Sequence, residues 1–167
     1  VVGKRTADYI EAHLEVAVYA GRQFSKPGAY AAYQRAEGIL QRLGPQASDL
    51  SIYQLYRQWG RLAYDFSDPE AVEQAYNKLL QSGLHRQNPL LTGSAYNGLA
   101  QAAELRFSPV QGLAYLERAA PFLDQSGRLF EHIEASNRQG LFRMQLGQYA
   151  DALEQAPLAH SGRARSP

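Results

Sequence analysis

With 167 residues, 17 basic against 16 acidic side chains and a formal net charge of +1, the chain lacks the massed lysine and arginine that hold DNA or RNA. It contains no cysteine, which excludes disulfides, thiolate metal sites and a cysteine nucleophile together. No apolar run reaches the length of a membrane span; neither a membrane nor a nucleic acid is therefore expected as a direct partner, and the composition fits a cytoplasmic protein.

The chain opens Val1-Val2-Gly3-Lys4, without methionine and without a signal-peptide pattern, and so reads as an internal or processed piece of a longer polypeptide. A first helical stretch runs from Tyr9 to Phe24, breaks at Pro27-Gly28 and resumes through Ala29, Tyr33 and Ala36 to a stop at Gly44-Pro45. Next, Leu55, Tyr56, Trp59, Leu62, Ala63 and Phe66 recur at steps of three and four, one apolar stripe of a helix. Asp68-Pro69-Glu70 restarts a helix with a capping carboxylate, a proline where its missing N–H costs nothing, and an acid at the positive end of the dipole. That helix carries Val72, Tyr76 and Leu79 on one face and is expected to end at Gly83.

Asn88-Pro89 opens a helix rich in small residues (Gly93, Ser94, Ala95, Gly98, Ala102, Ala103). Ser108 and Gln111, at capping-box spacing, open its partner, which is expected to bury Gly112, Leu116 and Ala119. A further helix runs from about Arg128 through Ile133 and Gly140 to a turn at Gly147, and another begins at Tyr149. Gly21, Gly60, Gly98 and Gly140 fall inside these helices at nearly even intervals. A helix-interior glycine costs about 1 kcal/mol relative to alanine, so its recurrence predicts close approach of a neighbouring helix. No segment alternates as a strand would. The prediction is an all-α chain of about four helical hairpins over residues 1–156, with units near 6–43, 48–83, 88–124 and 128–156 and a disordered tail over 157–167.

Gly140, followed by Gly147-Gln148-Tyr149-Ala150-Asp151-Ala152-Leu153, resembles the tetratricopeptide repeat: a helix-A glycine, an inter-helix Gly-x-Tyr, then a small residue before leucine. Trp59-Gly60 resembles the large-then-glycine pair of the same position. The interval from one such glycine to the next exceeds the family's usual repeat of about 34 residues. In this the units are similar to the longer repeats in the arms of bacterial signalling ATPases and transcription activators. The resemblance implies a right-handed α-solenoid whose concave groove binds a peptide or partner domain, in cis or in trans. It also implies the alternative of a domain sensing a small inducer. Self-association is a third expectation, because truncated arrays expose an unpaired end.

No catalytic constellation is present, and no enzyme activity or cofactor is expected. Gly3-Lys4-Arg5-Thr6 lacks the upstream glycine and the Lys-Ser/Thr pair of a phosphate-binding loop. His13, His85, His132 and His160 never meet the i, i+4 spacing of a helical zinc site. Glu70, Glu73, Glu117, Glu131 and Glu134 read as solubilising charge on polar helix faces. Of 11 tyrosines, Tyr33, Tyr56, Tyr76 and Tyr149 fall at packing positions, while Tyr64 is offset from the apolar stripe. Residues three before, one after and four after each helix-A glycine are expected to face the groove: Val18, Arg22 and Ser25; Arg57, Arg61 and Tyr64; Ala95, Leu99 and Ala102; Asn137, Leu141 and Met144. Arg22, Arg57, Arg61, Tyr64, Asn137 and Leu141 are thus the candidate partner-binding residues. They would make a groove basic toward the N-terminal half and apolar toward the C-terminal half, suited to an acidic and hydrophobic segment gripped by arginine forks.

Overall fold

The computed structural model describes residues 10–16, 19–20, 23 and 25–147, and these are helical throughout apart from short turns. After helical backbone at 10–16 and 19–20 come α1 (Lys26–Leu43), a 3-10 turn (Gly44–Gln46), α2 (Asp49–Asp65), α3 (Pro69–His85), α4 (Pro89–Leu105), α5 (Pro109–Ser126) and α6 (Leu129–Gln145). Pro27 belongs to the first turn of α1, where proline's fixed φ favours initiation, so it starts this helix rather than breaking one. Gly21, Arg22, Tyr149 and the expected tail lie outside the described residues.

From α2 onward the helices obey one rule of construction. They begin at residues 49, 69, 89, 109 and 129, a constant interval. Each of the last five turns also holds one residue in the left-handed region: Ser67 (φ 52°), Gln87 (51°), Phe107 (53°), Gly127 (63°) and Gly147 (77°), at that same interval. The caps that follow are Asp68, whose carboxylate accepts from the Ala71 amide at 3.0 Å, and Asn88, which accepts from Leu91 at 3.2 Å. Ser108 departs from its capping-box expectation: its hydroxyl turns back to the Arg106 carbonyl and leaves α5 without a side-chain cap.

Consecutive helices pack on one another, and the end of each lies beside the start of the one before. Arg86, just past α3, donates to Asp49 at the start of α2, and Arg106, just past α4, reaches Glu73 and Glu70 at the start of α3. The even-numbered helices also pack among themselves, α2 on α4 and α4 on α6. A stack whose alternate members approach more closely on one side curves toward that side, so α2, α4 and α6 form the inner, concave layer.

The helix-interior glycines are explained by aromatic rings. A Cβ at Gly60 or at Gly98 would collide with the ring of Tyr76, which α3 wedges between α2 and α4. Gly112 meets Phe142 of α6 in the same way. Gly83 lies inside α3 instead of ending it: a Cβ there would fall 2.7 Å from the backbone nitrogen of Thr92, so the glycine allows α3 and α4 to touch. Around these contacts runs one apolar cluster from Ile10 and Leu14 through Tyr33, Tyr56, Trp59, Tyr76 and Leu79 to Leu99. The expected packing roles of Tyr33, Tyr56 and Tyr76 are therefore met.

Candidate functional site

The concave face is built by three helices of 17 residues whose neighbours cover their other sides. Along α2, Tyr53 and Arg57 reach α6, which answers with Glu131 and Glu134; further along, Tyr64 of α2 and Arg138 of α6 meet on Glu104 of α4. The pairing order increases along both helices, so α2 and α6 run parallel across the groove.

Toward the helix starts, the Arg57 guanidinium donates from Nε to Glu131 (3.1 Å) and from Nη2 to Glu134 (3.0 Å). Glu131 also accepts from the Tyr53 hydroxyl at 2.5 Å. The guanidinium lies 5.7 Å from the Tyr53 ring centre and 5.2 Å from that of Phe130. Burial disfavours the Arg57 charge, but Glu131, then Tyr53 and Glu134, more than offset it and hold its pKa above the usual value. Burial and the Glu131 carboxylate likewise push the Tyr53 hydroxyl up, so it remains a donor.

Toward the helix ends, Tyr64 donates to Glu104 of α4 at 2.7 Å. Arg138 donates to the same carboxylate at 3.1 Å and to the Asn97 side-chain oxygen at 2.6 Å. Burial and then the hydrogen bond to Glu104 raise the Tyr64 pKa to about 12. A recess of about 260 Å³ opens here, lined by Tyr64, Glu104, Glu134, Asn137, Arg138 and Leu141.

Three of the six expected residues, Tyr64, Asn137 and Leu141, are thus brought to one recess from units that are not adjacent in the chain. Arg57 lies on the same face, but the carboxylates its fork was expected to take from a partner come from its own chain. Arg61 is exposed on α2 outside the recess lining, and Arg22 lies outside the described residues. Ala95, Leu99 and Ala102 are core residues, at most 2% exposed. The register that serves α2 and α6 fails on α4, which is enclosed by neighbours on both sides in the same layer. The expected gradient from basic to apolar is replaced by a face of matched charges.

Sequence reasoning misses Glu104, Glu131, Glu134 and Arg138 as groove residues. Glu131 and Glu134 read as solvated, yet the Glu131 side chain is only 3% exposed. Their i, i+3 spacing is visible, but nothing local to α6 announces an arginine 74 residues upstream. Among the described residues no three His, Asp or Glu side chains converge as metal ligands, and no helix is long and apolar enough to cross a membrane. Comparison of the chain with protein-family models, with curated proteins and with solved structures found no match, and the character of this face rests on its own geometry.

Proposed function

We propose that the chain is a non-catalytic interaction module, a tetratricopeptide-like arm of a larger regulatory or signalling protein, which receives a segment of a partner on its concave face. What carries this reading is the recess, where α2, α4 and α6 each contribute lining residues to one open depression. Small-molecule pockets are mostly apolar, enclose their ligand and run from about 300 to 1,000 Å³. This recess is smaller, and five of its six lining residues carry a polar group. Such a lining suits the mixed polar and apolar side chains of a polypeptide better than an inducer. Tyr64, Asn137 and Leu141, with exposed Arg61 beside them, are the positions offered to the partner, while Arg57 holds the face together.

A photocrosslinking amino acid placed at Asn137 or Arg61, with a control at exposed Glu117 on α5, tests this in extracts of the native cell. A species captured from both groove positions, absent from the Glu117 control and lost with Leu141→Asp at unchanged helicity, is the expected result. Capture independent of position, or unaffected by Leu141→Asp, overturns it.

A further inference from the structure

In a stacked-hairpin array each unit contacts its immediate neighbours, and stability is a sum of unit and nearest-neighbour terms. The bonds from Arg57 and Tyr53 to Glu131 and Glu134 do not fit that scheme. They join α2 to α6 and pass over α4. Their length is set by how far the array bends, because α2 and α6 each pack on α4 rather than extensively on each other. The parts are also arranged for a single geometry. The guanidinium lies within about 6 Å of two ring centres, its two bonded nitrogens address two carboxylates one helical turn apart, and the Glu131 side chain is almost wholly shielded. A buried carboxylate that loses its partner is left uncompensated, so breaking the Glu131 contact favours movement of α6 that lets water reach that side chain.

We infer that Tyr53, Arg57, Glu131 and Glu134 form a brace that sets the opening of the concave face, and that its release swings α6 away from α2. Widening the face and freeing the Arg57 fork are then one event. A carboxylate-bearing segment that takes Arg57 and a spreading of the array favour each other, by the reciprocity that links any two coupled equilibria. The brace itself does not depend on which partner occupies the face.

The chain has no native cysteine, so the pair Arg61→Cys and Asn137→Cys, both exposed and on opposite sides of the groove, gives two unique spin-label sites. With the brace intact, pulsed electron spin measurements are expected to give one narrow distance distribution. Adding Glu131→Gln and Glu134→Gln lengthens and broadens it, and amides of α6 exchange roughly tenfold faster while those of α3 keep their protection. Should that variant lose its helicity, Glu134→Gln alone, which leaves the shielded Glu131 contact in place, is expected to lengthen the distance by a smaller amount. An unchanged, narrow distribution in a folded variant overturns the inference, because the core would then fix the curvature without the brace.

Discussion

Helices α4 and α6 occupy equivalent places in successive units and have the same length of 17 residues, yet they are held by different means. Most of α4 is buried, largely through small residues, and the helix is gripped by close backbone approach at Gly83 and Gly93 and by the Tyr76 ring at Gly98. Only Glu131, Gly140 and Phe142 are buried on α6. Among the described residues, one fully buried aromatic anchor and a set of charge-assisted hydrogen bonds do for α6 much of what packing does for α4. Packing forfeits its contacts steeply with separation, whereas charged pairs reorganise and can be competed away. The difference makes α4 the fixed spine of the concave face and α6 its movable wall.

The sharpest way to break this comparison is to remove the anchor. Phe142 is fully buried against Ala100, Leu116 and Gly112, and Phe142→Ala should destabilise the chain by about 3–5 kcal/mol, read by urea denaturation. Hydrogen exchange should show α6 losing protection before α3 and α4; simultaneous loss would mean the two helices are one cooperative unit. Next in size is Gly98→Ala, whose methyl group must displace the Tyr76 ring and should cost about 1–3 kcal/mol. At Gly38, inside α1, a Cβ would meet nothing within 4 Å, so Gly38→Ala should instead raise stability by about 0.5–1 kcal/mol. The opposite signs of these two changes in thermal unfolding are the test that close approach, and not glycine as such, is what the inner layer requires.

The smallest effect concerns Asp68. Burial pushes its pKa up, but hydrogen bonds from Lys26, the Ala71 amide and Tyr30, with the Lys26 charge, together bring it below the ordinary value. Its stabilising contribution is therefore complete above the unfolded pKa of about 3.9 and is lost as pH falls through the lower, folded value. Asp68→Asn keeps a capping oxygen and loses the pair with Lys26, which is 45% exposed, so the cost at neutral pH should be under about 1 kcal/mol. The gap in melting temperature between the two proteins should close as the solution is acidified through that range. No gap at neutral pH would assign Asp68's contribution to the cap alone.

The helical architecture is legible because its signals are local. Asp68-Pro69 and Asn88-Pro89 announce helix starts through capping chemistry, and the apolar stripe of α2 shows directly which side is buried. The regularly recurring joint escapes a sequence reading although Pro69, Pro89 and Pro109 mark it, because three of its left-handed positions hold Ser, Gln and Phe, and glycine spacing cannot reveal them. The face itself is half legible. Tyr64, Asn137 and Leu141 follow from helical phase alone. The matched charges depend on how sharply the array bends, a quantity summed over several interfaces and written in no single segment.

The recurring left-handed turn also bears on how such a chain can change in length. Since helices start at 49, 69, 89, 109 and 129 with equivalent junctions, a stretch of two helices and their two turns carries one inner and one outer helix and ends in the conformation with which it began. Duplication or excision of such a stretch preserves phase at both seams. A change of a single helix and turn exchanges inner for outer and sends every later functional side chain to the wrong side. The grammar of the turn therefore makes whole-hairpin gain and loss the tolerated form of variation, and lets the length of the array evolve without redesign of its joints.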